Sequence, residues 1–233
     1  MPDIYQGRIL RRLATLVLGS MAALPLIAAK PVSIPEEIEW TWEVRPPHPD
    51  PQLPNVLLLG DSITRNYFPE VRKDLAGAAN VYLMASSIAV GDPRIEREIH
   101  EFAVMEKVHF QVVHFNNGMH GWAYTEEQYR AAFPAYLHAV RSLTDKSGKL
   151  IWASTTPVRS DVTSGATNPR VEDRNRIALG FVQPADIPVD DQFALMQQHQ
   201  DLHQDSVHFN PTGANLQGDQ AAAMIRTALG LQK

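Results

Sequence analysis

The amino-acid sequence predicts an α/β protein, a three-layer α/β/α sandwich around about four or five parallel strands. Three observations predict it. From Asn55 onward, short continuous apolar runs alternate with longer amphipathic ones. That alternation requires parallel pairing, right-handed crossovers and helices on both faces of one sheet. The 233 residues are 44% hydrophobic and 20% charged, enough to build the full core of one ordinary domain.

Residues 1–29 read as a signal peptide or N-terminal anchor. Arg8, Arg11 and Arg12 precede Leu13–Ala29, an uncharged run rich in small side chains that ends in Ala28-Ala29. Export to a secreted or periplasmic location, with cleavage near Ala29, is the first reading. A retained membrane anchor is the alternative, although Pro25 interrupts a run already short for a span. Residues 30–53 form a proline-rich, stiff, extended lead-in, with Trp40 and Trp42 expected to dock it on the body. Residues 54–233 make the domain itself.

Within the domain, Val56-Leu57-Leu58-Leu59 ends at Gly60, as a strand buried on both faces would. Val81–Met84, Val112–Phe115 and Leu150–Ala153 follow the same pattern. Helices are expected near 68–77, 94–104, 126–143, 171–182 and 212–229. In the third of these, Tyr129, Ala132, Phe133, Tyr136, Leu137 and Val140 recur at three and four, giving one apolar face. There is no internal repeat and no low-complexity tract.

Open parallel sheets bind ligands beyond the carboxyl ends of their strands. The segments after the four strands are Gly60-Asp61-Ser62, Ser86 to Gly91, Asn116 to His120, and Thr155-Thr156-Pro157; Asp205-Ser206-Val207-His208 follows near the carboxyl end. A serine, a histidine, a carboxylate and several donors are therefore expected on one rim. Gly60-Asp61-Ser62 taken alone suits any turn or helix cap. Placed after a buried strand, it would put Ser62 where a helix dipole and free amides favour a developing anion. A serine hydroxyl becomes a useful nucleophile when an imidazole takes its proton and a carboxylate holds the other ring nitrogen. The three-residue spacing from Asp205 to His208 allows that contact, as it would allow a surface ion pair or a cap. Asn210-Pro211-Thr212-Gly213 then starts the last helix, with Asn210 or Thr212 as its cap.

Taken together, Gly60-Asp61-Ser62, the glycine after the second strand, the donor cluster after the third and Asp205-x-x-His208-Phe209-x-Pro211 resemble the SGNH (GDSL-type) hydrolases, over about Pro54 to Leu229. The third block resembles a carbohydrate O-acetylesterase-like subgroup carrying His-Phe-Asn-x-Gly-Leu-His. The resemblance implies a flavodoxin-like sandwich of about five strands. It implies ester hydrolysis through Ser62, with His208 as base and Asp205 as orienting carboxylate, and no metal or organic cofactor. It implies an oxyanion hole combining the nucleophile's own N–H, a glycine matched by Gly91, and an asparagine. The usual Gly-x-Asn-Asp is here Asn116-Asn117-Gly118-Met119-His120-Gly121. Asn116, Asn117 and His120 are all candidates; the subgroup resemblance favours Asn116 acting with His120. Alternation along a strand lets only one of the two asparagines face the cleft.

Cysteine is absent, which excludes a disulfide framework, a thiolate zinc site and a cysteine nucleophile. A net charge of −5 argues against a nucleic-acid partner. The partner expected is a small-molecule or glycan ester, with no stable membrane partner beyond the leader. His199, His203, Asp205 and His208 offer a zinc alternative if His199-x-x-x-His203 lies on one helix, where both rings would share a face; otherwise the two histidines face solvent. Trp122 and Tyr124 read either as a sugar-stacking wall or as loop anchors. Arg170, Arg174 and Arg176 read as a solvated helix face, weakly suggestive of an anionic substrate. The functional readings are a serine esterase acting on acyl, above all acetyl, esters of carbohydrate; an inactive acyl- or sugar-binding module on the same scaffold; and a metal-dependent hydrolase. The first predicts that kcat/KM rises over the range where histidine loses its proton, about pH 6–7.5.

Overall fold

A computed structural model describes residues 32–163 and 165–231, so the leader expected over 1–29 lies outside the described residues. Strands β1 (Thr41–Val44), β2 (Asn55–Gly60), β3 (Asn80–Ser86), β4 (Phe110–Phe115), β5 (Thr144–Ala153) and β6 (Val189–Asp190) form one sheet in the order β1-β3-β2-β4-β5-β6. Five of them are parallel, as expected, and β1 joins antiparallel at the edge with Thr41 opposite Ser86. β1 lies inside the proline-rich lead-in, where a short edge strand leaves little periodic signal. β6 has two residues and leaves less.

Both faces of the sheet are covered. Along β2, Val56 and Leu58 pack into one core layer with Ile63, Tyr67 and Val71 of helix α1 (Ser62–Asp74) and with Ala221 and Ile225 of helix α6 (Pro211–Leu229). Leu57 and Leu59 face the other layer, formed by α2 (Arg94–Glu106), α3 (Glu126–Ser142) and α4 (Asn168–Val182). This strict alternation across a doubly buried strand explains the unbroken apolar run in the sequence. A short helix α5 (Gln192–Gln197) precedes a 3₁₀ turn at Gln200–Leu202.

One boundary bears directly on function. The helix expected over 68–77 starts at Ser62, because Asp61 caps it: its side chain accepts the Ile63 N–H at 2.9 Å. Pro69 sits inside this helix rather than at its first turn. Ser62 thereby becomes the first residue of α1, directly beyond the carboxyl end of the central strand β2.

Candidate active site

The site is built at that elbow. Gly60 has no room for a side chain, since a Cβ there would lie 2.1 Å from Thr64 Oγ1 and 3.2 Å from the Asn116 carbonyl oxygen. The strand can therefore turn tightly into α1, and Ser62 is presented at a helix N-terminus. Its amide is among the first-turn N–H groups that a helix cannot satisfy internally.

His208 reaches Ser62 from the loop before α6. The Ser62 Oγ to His208 Nε2 distance is 2.7 Å. On the far side of the ring, Nδ1 lies 2.9 Å from Asp205 Oδ2 and 3.2 Å from Oδ1. Asp205 Oδ1 also accepts the backbone N–H groups of Val207 and His208, each at 2.8 Å. Burial raises the Asp205 pKa, but these amides and the imidazole outweigh it and hold the carboxyl below its ordinary value. Asp205 is thus a carboxylate at neutral pH. With its Nδ1–H given to Asp205, His208 turns the Nε2 lone pair toward the Ser62 hydroxyl.

The loop is fixed from several sides. Asn66 of α1 donates to the Phe209 carbonyl at 2.8 Å, Phe209 is buried, and Asn210 caps α6 through the Thr212 and Gly213 amides. His199 and His203 flank the three-residue 3₁₀ turn and do not share a helix, which removes the spacing on which a zinc site depended. Nor does His203 face solvent: it is buried, its ring stacked 4.1 Å from that of Phe209.

Sheet geometry separates the donor candidates. Asn116 points toward β5, giving its amide to the Ala153 carbonyl at 2.6 Å and to Thr155 Oγ1 at 3.1 Å, while its Oδ1 accepts the Gly118 N–H. Both its N–H bonds are used, contrary to the favoured pairing of Asn116 with His120. Asn117, on the opposite face, accepts the Val90 N–H and donates to the Ile88 carbonyl at 2.9 Å, leaving its second N–H unassigned. Gly91 has φ +109°, a conformation that favours glycine, and lies under the Tyr124 ring. His120 Nδ1 meets Glu36 Oε2 at 3.0 Å, and its buried Nε2 has no hydrogen-bond partner. Burial lowers the His120 pKa, yet the bond to Glu36 and the nearby Asp61 and Glu39 charges outweigh that and raise it overall.

The lead-in supplies contacts that the sequence did not reveal. Glu36 also accepts the Gly121 N–H at 2.9 Å, and Tyr124 Oη accepts the Ile34 N–H at 2.6 Å. Asp92 takes bonds from Ser33 and Arg94, and Arg94 continues to Glu39. Burial raises the Asp92 pKa, but those bonds prevail and hold it at about 2. No spacing signal links Glu36 to His120; their partnership depends on the lead-in folding back across the sheet.

Trp122 and Tyr124 are loop anchors rather than a rim wall. Trp122 is buried, donates to the Met119 carbonyl at 2.7 Å and lies 3.9 Å beneath the Arg174 guanidinium. Arg174 itself is 1% exposed, far from a solvated helix residue. It donates to the carbonyls of His120 at 2.7 Å and Gly121 at 2.8 Å, fixing the third block from beneath. Arg170 joins it, bonding Glu126 and the Trp122 carbonyl, while Arg176 stays on the surface with Asp173.

The same architecture occurs in solved hydrolases. A lipase/acylhydrolase from Enterococcus faecalis superposes with a TM-score of 0.59 and 19% identity, covering 75% of this chain and 96% of that one. The fold is that of the GDSL/SGNH hydrolases. The SGNH-type fold is also shared with an acetyl xylan esterase, at TM-score 0.58 and 13% identity over 73% of this chain and 99% of that one. It is shared with the C-terminal catalytic domain of peptidoglycan O-acetyltransferase A from Streptococcus pneumoniae, at TM-score 0.54 and 19% identity over 76% and 96%. No protein-family model and no curated protein matches the chain.

Proposed function

We propose that this protein is a serine esterase of the SGNH type that removes acyl groups, above all acetyl groups, from carbohydrate. The observation that carries the reading is the continuous hydrogen-bonded chain from Ser62 Oγ through His208 to Asp205 at the first turn of α1. Ser62 Oγ attacks the ester carbonyl carbon while its proton passes to His208 Nε2. Asp205 stabilises the resulting imidazolium through Nδ1–H. The tetrahedral oxyanion is held by the Ser62 and Gly91 amides and by Asn117, whose side chain is already tied to the Val90 amide next to Gly91. His120, braced by Glu36, is the additional donor to that charge. Collapse breaks the bond to the alcohol oxygen, which takes the proton from His208. Water then attacks the acyl-serine by the same route, releasing the acid and restoring Ser62.

The carbohydrate assignment is supported by the fold's occurrence in an acetyl xylan esterase and a peptidoglycan O-acetyltransferase. Export is supported by the basic and apolar pattern of residues 1–29. The test is turnover of 4-nitrophenyl acetate, of longer-chain esters and of acetylated polysaccharides by wild type and Ser62→Ala, each with and without chelator. Turnover of acetyl esters that survives chelation and disappears in Ser62→Ala is expected. Glycan binding without turnover would replace the esterase by a binding module, and loss of activity on chelation would replace it by a metal-dependent enzyme.

A further inference from the structure

The cavity beside the nucleophile is about 290 Å³ and is lined by Ser62, Arg65, Asn66, Pro69, Gln204 and His208. Arg65 is the only arginine or lysine in its lining. Its guanidinium carbon lies 4.7 Å from the Trp42 ring centroid and 5.6 Å from that of Trp40. Trp40 is pinned just beyond the end of β3 by its backbone N–H bond to Ser87 Oγ, and by the Ser87 N–H donating to its carbonyl. Trp42 stands on β1 and is 51% exposed. Among the described residues, no carboxylate lies within 4.0 Å of the Arg65 guanidinium, which is equally true of Arg72, Arg130, Arg141, Arg159 and Arg226, but of these six only Arg65 lines the cavity at Ser62. The nearest catalytic carboxylate, Asp205, is already engaged with His208 and two amides.

We infer that Arg65, propped on Trp42 and Trp40, is the recognition site for a carboxylate on the alcohol portion of the ester, so that the substrate is an acidic rather than a neutral sugar. The inference rests on the esterase reading. Stacking on indole faces restricts a long side chain in advance and leaves the donor edge of the guanidinium exposed, which suits bidentate capture of a carboxylate. Arg65 lies one turn beyond Ser62 on the same helix. A carboxylate bound there would hold the sugar over the nucleophile, with its acyl group directed at Ser62 and its leaving oxygen near His208. The lead-in strand thus acts as a specificity element, since it provides both indole supports.

Two kinds of sugar carry this chemistry, a uronic acid and a muramic acid with its lactyl carboxylate, so the test has an arm for each. Deacetylated oligouronate and a muramic-acid-containing oligosaccharide are titrated, each beside its carboxyl-reduced counterpart, into Ser62→Ala and into Ser62→Ala combined with Arg65→Gln or Arg65→Lys. The expected result in one arm is at least tenfold tighter binding of the acid, weakening as salt is raised, lost in Arg65→Gln and partly kept in Arg65→Lys. The arm showing the gap identifies the sugar. Equal binding of acid and reduced forms in both arms overturns the inference, as does a preference that survives Arg65→Gln. Binding to the Ser62→Ala background is independent of turnover, so an inactive wild type would defeat the esterase reading without obscuring this result. Thermal melting of each variant shows that the fold is retained.

Discussion

Three histidine–carboxylate pairs occur among the described residues, and two of them, with almost the same bond, make the sharpest contrast. His208 and Asp205 meet at 2.9 Å, and His114 and Asp190 at 2.7 Å. The first is open, with side-chain exposures of 29% and 49%; the second is fully enclosed in the sheet, at 0% for both. His208 presents its free nitrogen to a hydroxyl at a helix N-terminus. His114 Nδ1 has no partner, and Asp190 is saturated by His114, Gln192 and Gln220. An imidazole–carboxylate contact is therefore catalytic equipment only where a nucleophile and a route for substrate adjoin it. Buried without them, it is a structural bond whose cost is desolvation.

The comparison is sharpened most by removing each pair in turn. His208→Ala should lower kcat for acetyl esters by about 10⁴–10⁶-fold with little change in unfolding free energy, measured by ester turnover beside urea titration. Asp190→Ala should do the reverse at the level of cause. It strands His114 in the interior and is expected to cost about 3–5 kcal/mol in urea unfolding, whereas His114→Leu combined with Asp190→Leu recovers much of that loss. If the double variant is as unstable as the single, the enclosed pair is not a simple desolvation penalty. Asp205→Asn should fall between, reducing kcat/KM by about 10²-fold or more without the stability loss, because its carboxylate is open to water and its backbone amides can bond an amide oxygen.

The smallest effect concerns the third pair, Glu36 with His120. The His120 pKa is raised above its ordinary 6.5, so its share of stability is complete below 6.5 and is lost as pH rises through the folded value. Burial raises the Glu36 pKa, but its bonds to His120 and Gly121 outweigh this and lower it below the ordinary 4.5, so its share is present above 4.5 and lost as pH falls. Glu36→Gln should consequently lower Tm most between pH 4.5 and 6.5, by at most about 2–4 °C, and less at pH 9. A Tm difference that is flat across pH would mean the pair is held without charge. This partly exposed contact is weaker than the enclosed one and differs from the open one in having no hydroxyl partner.

Most of the sheet and the residues of the Ser62–His208–Asp205 hydrogen-bonded chain were legible in the sequence, and the supporting shell was not. The four long parallel strands announce themselves because burial on both faces forces continuous apolar runs. Ser62, Asp205 and His208 stand out because strand ends, caps and a three-residue spacing are local signals. β1 and Glu36 did not, since a proline-rich edge segment has no core periodicity and its partner His120 lies 84 positions away. Arg174 was misread for a related reason. A charged residue on a helix is ordinarily solvated, and only the convergence of the His120 and Gly121 carbonyls beneath the third block makes burial tolerable.

What the chain order determined by itself was the layered α/β plan and the candidacy of the Ser62 hydroxyl, the His208 imidazole and the Asp205 carboxylate, because periodicity and turn chemistry act over a few residues. What only the tertiary structure decided was which asparagine still has a donor to give, which aromatic residues anchor a loop, and which arginine is left facing the cavity. Those outcomes depend on partners brought from distant segments, and a hydrogen bond or ion pair already formed removes a side chain from the groups that a substrate can meet.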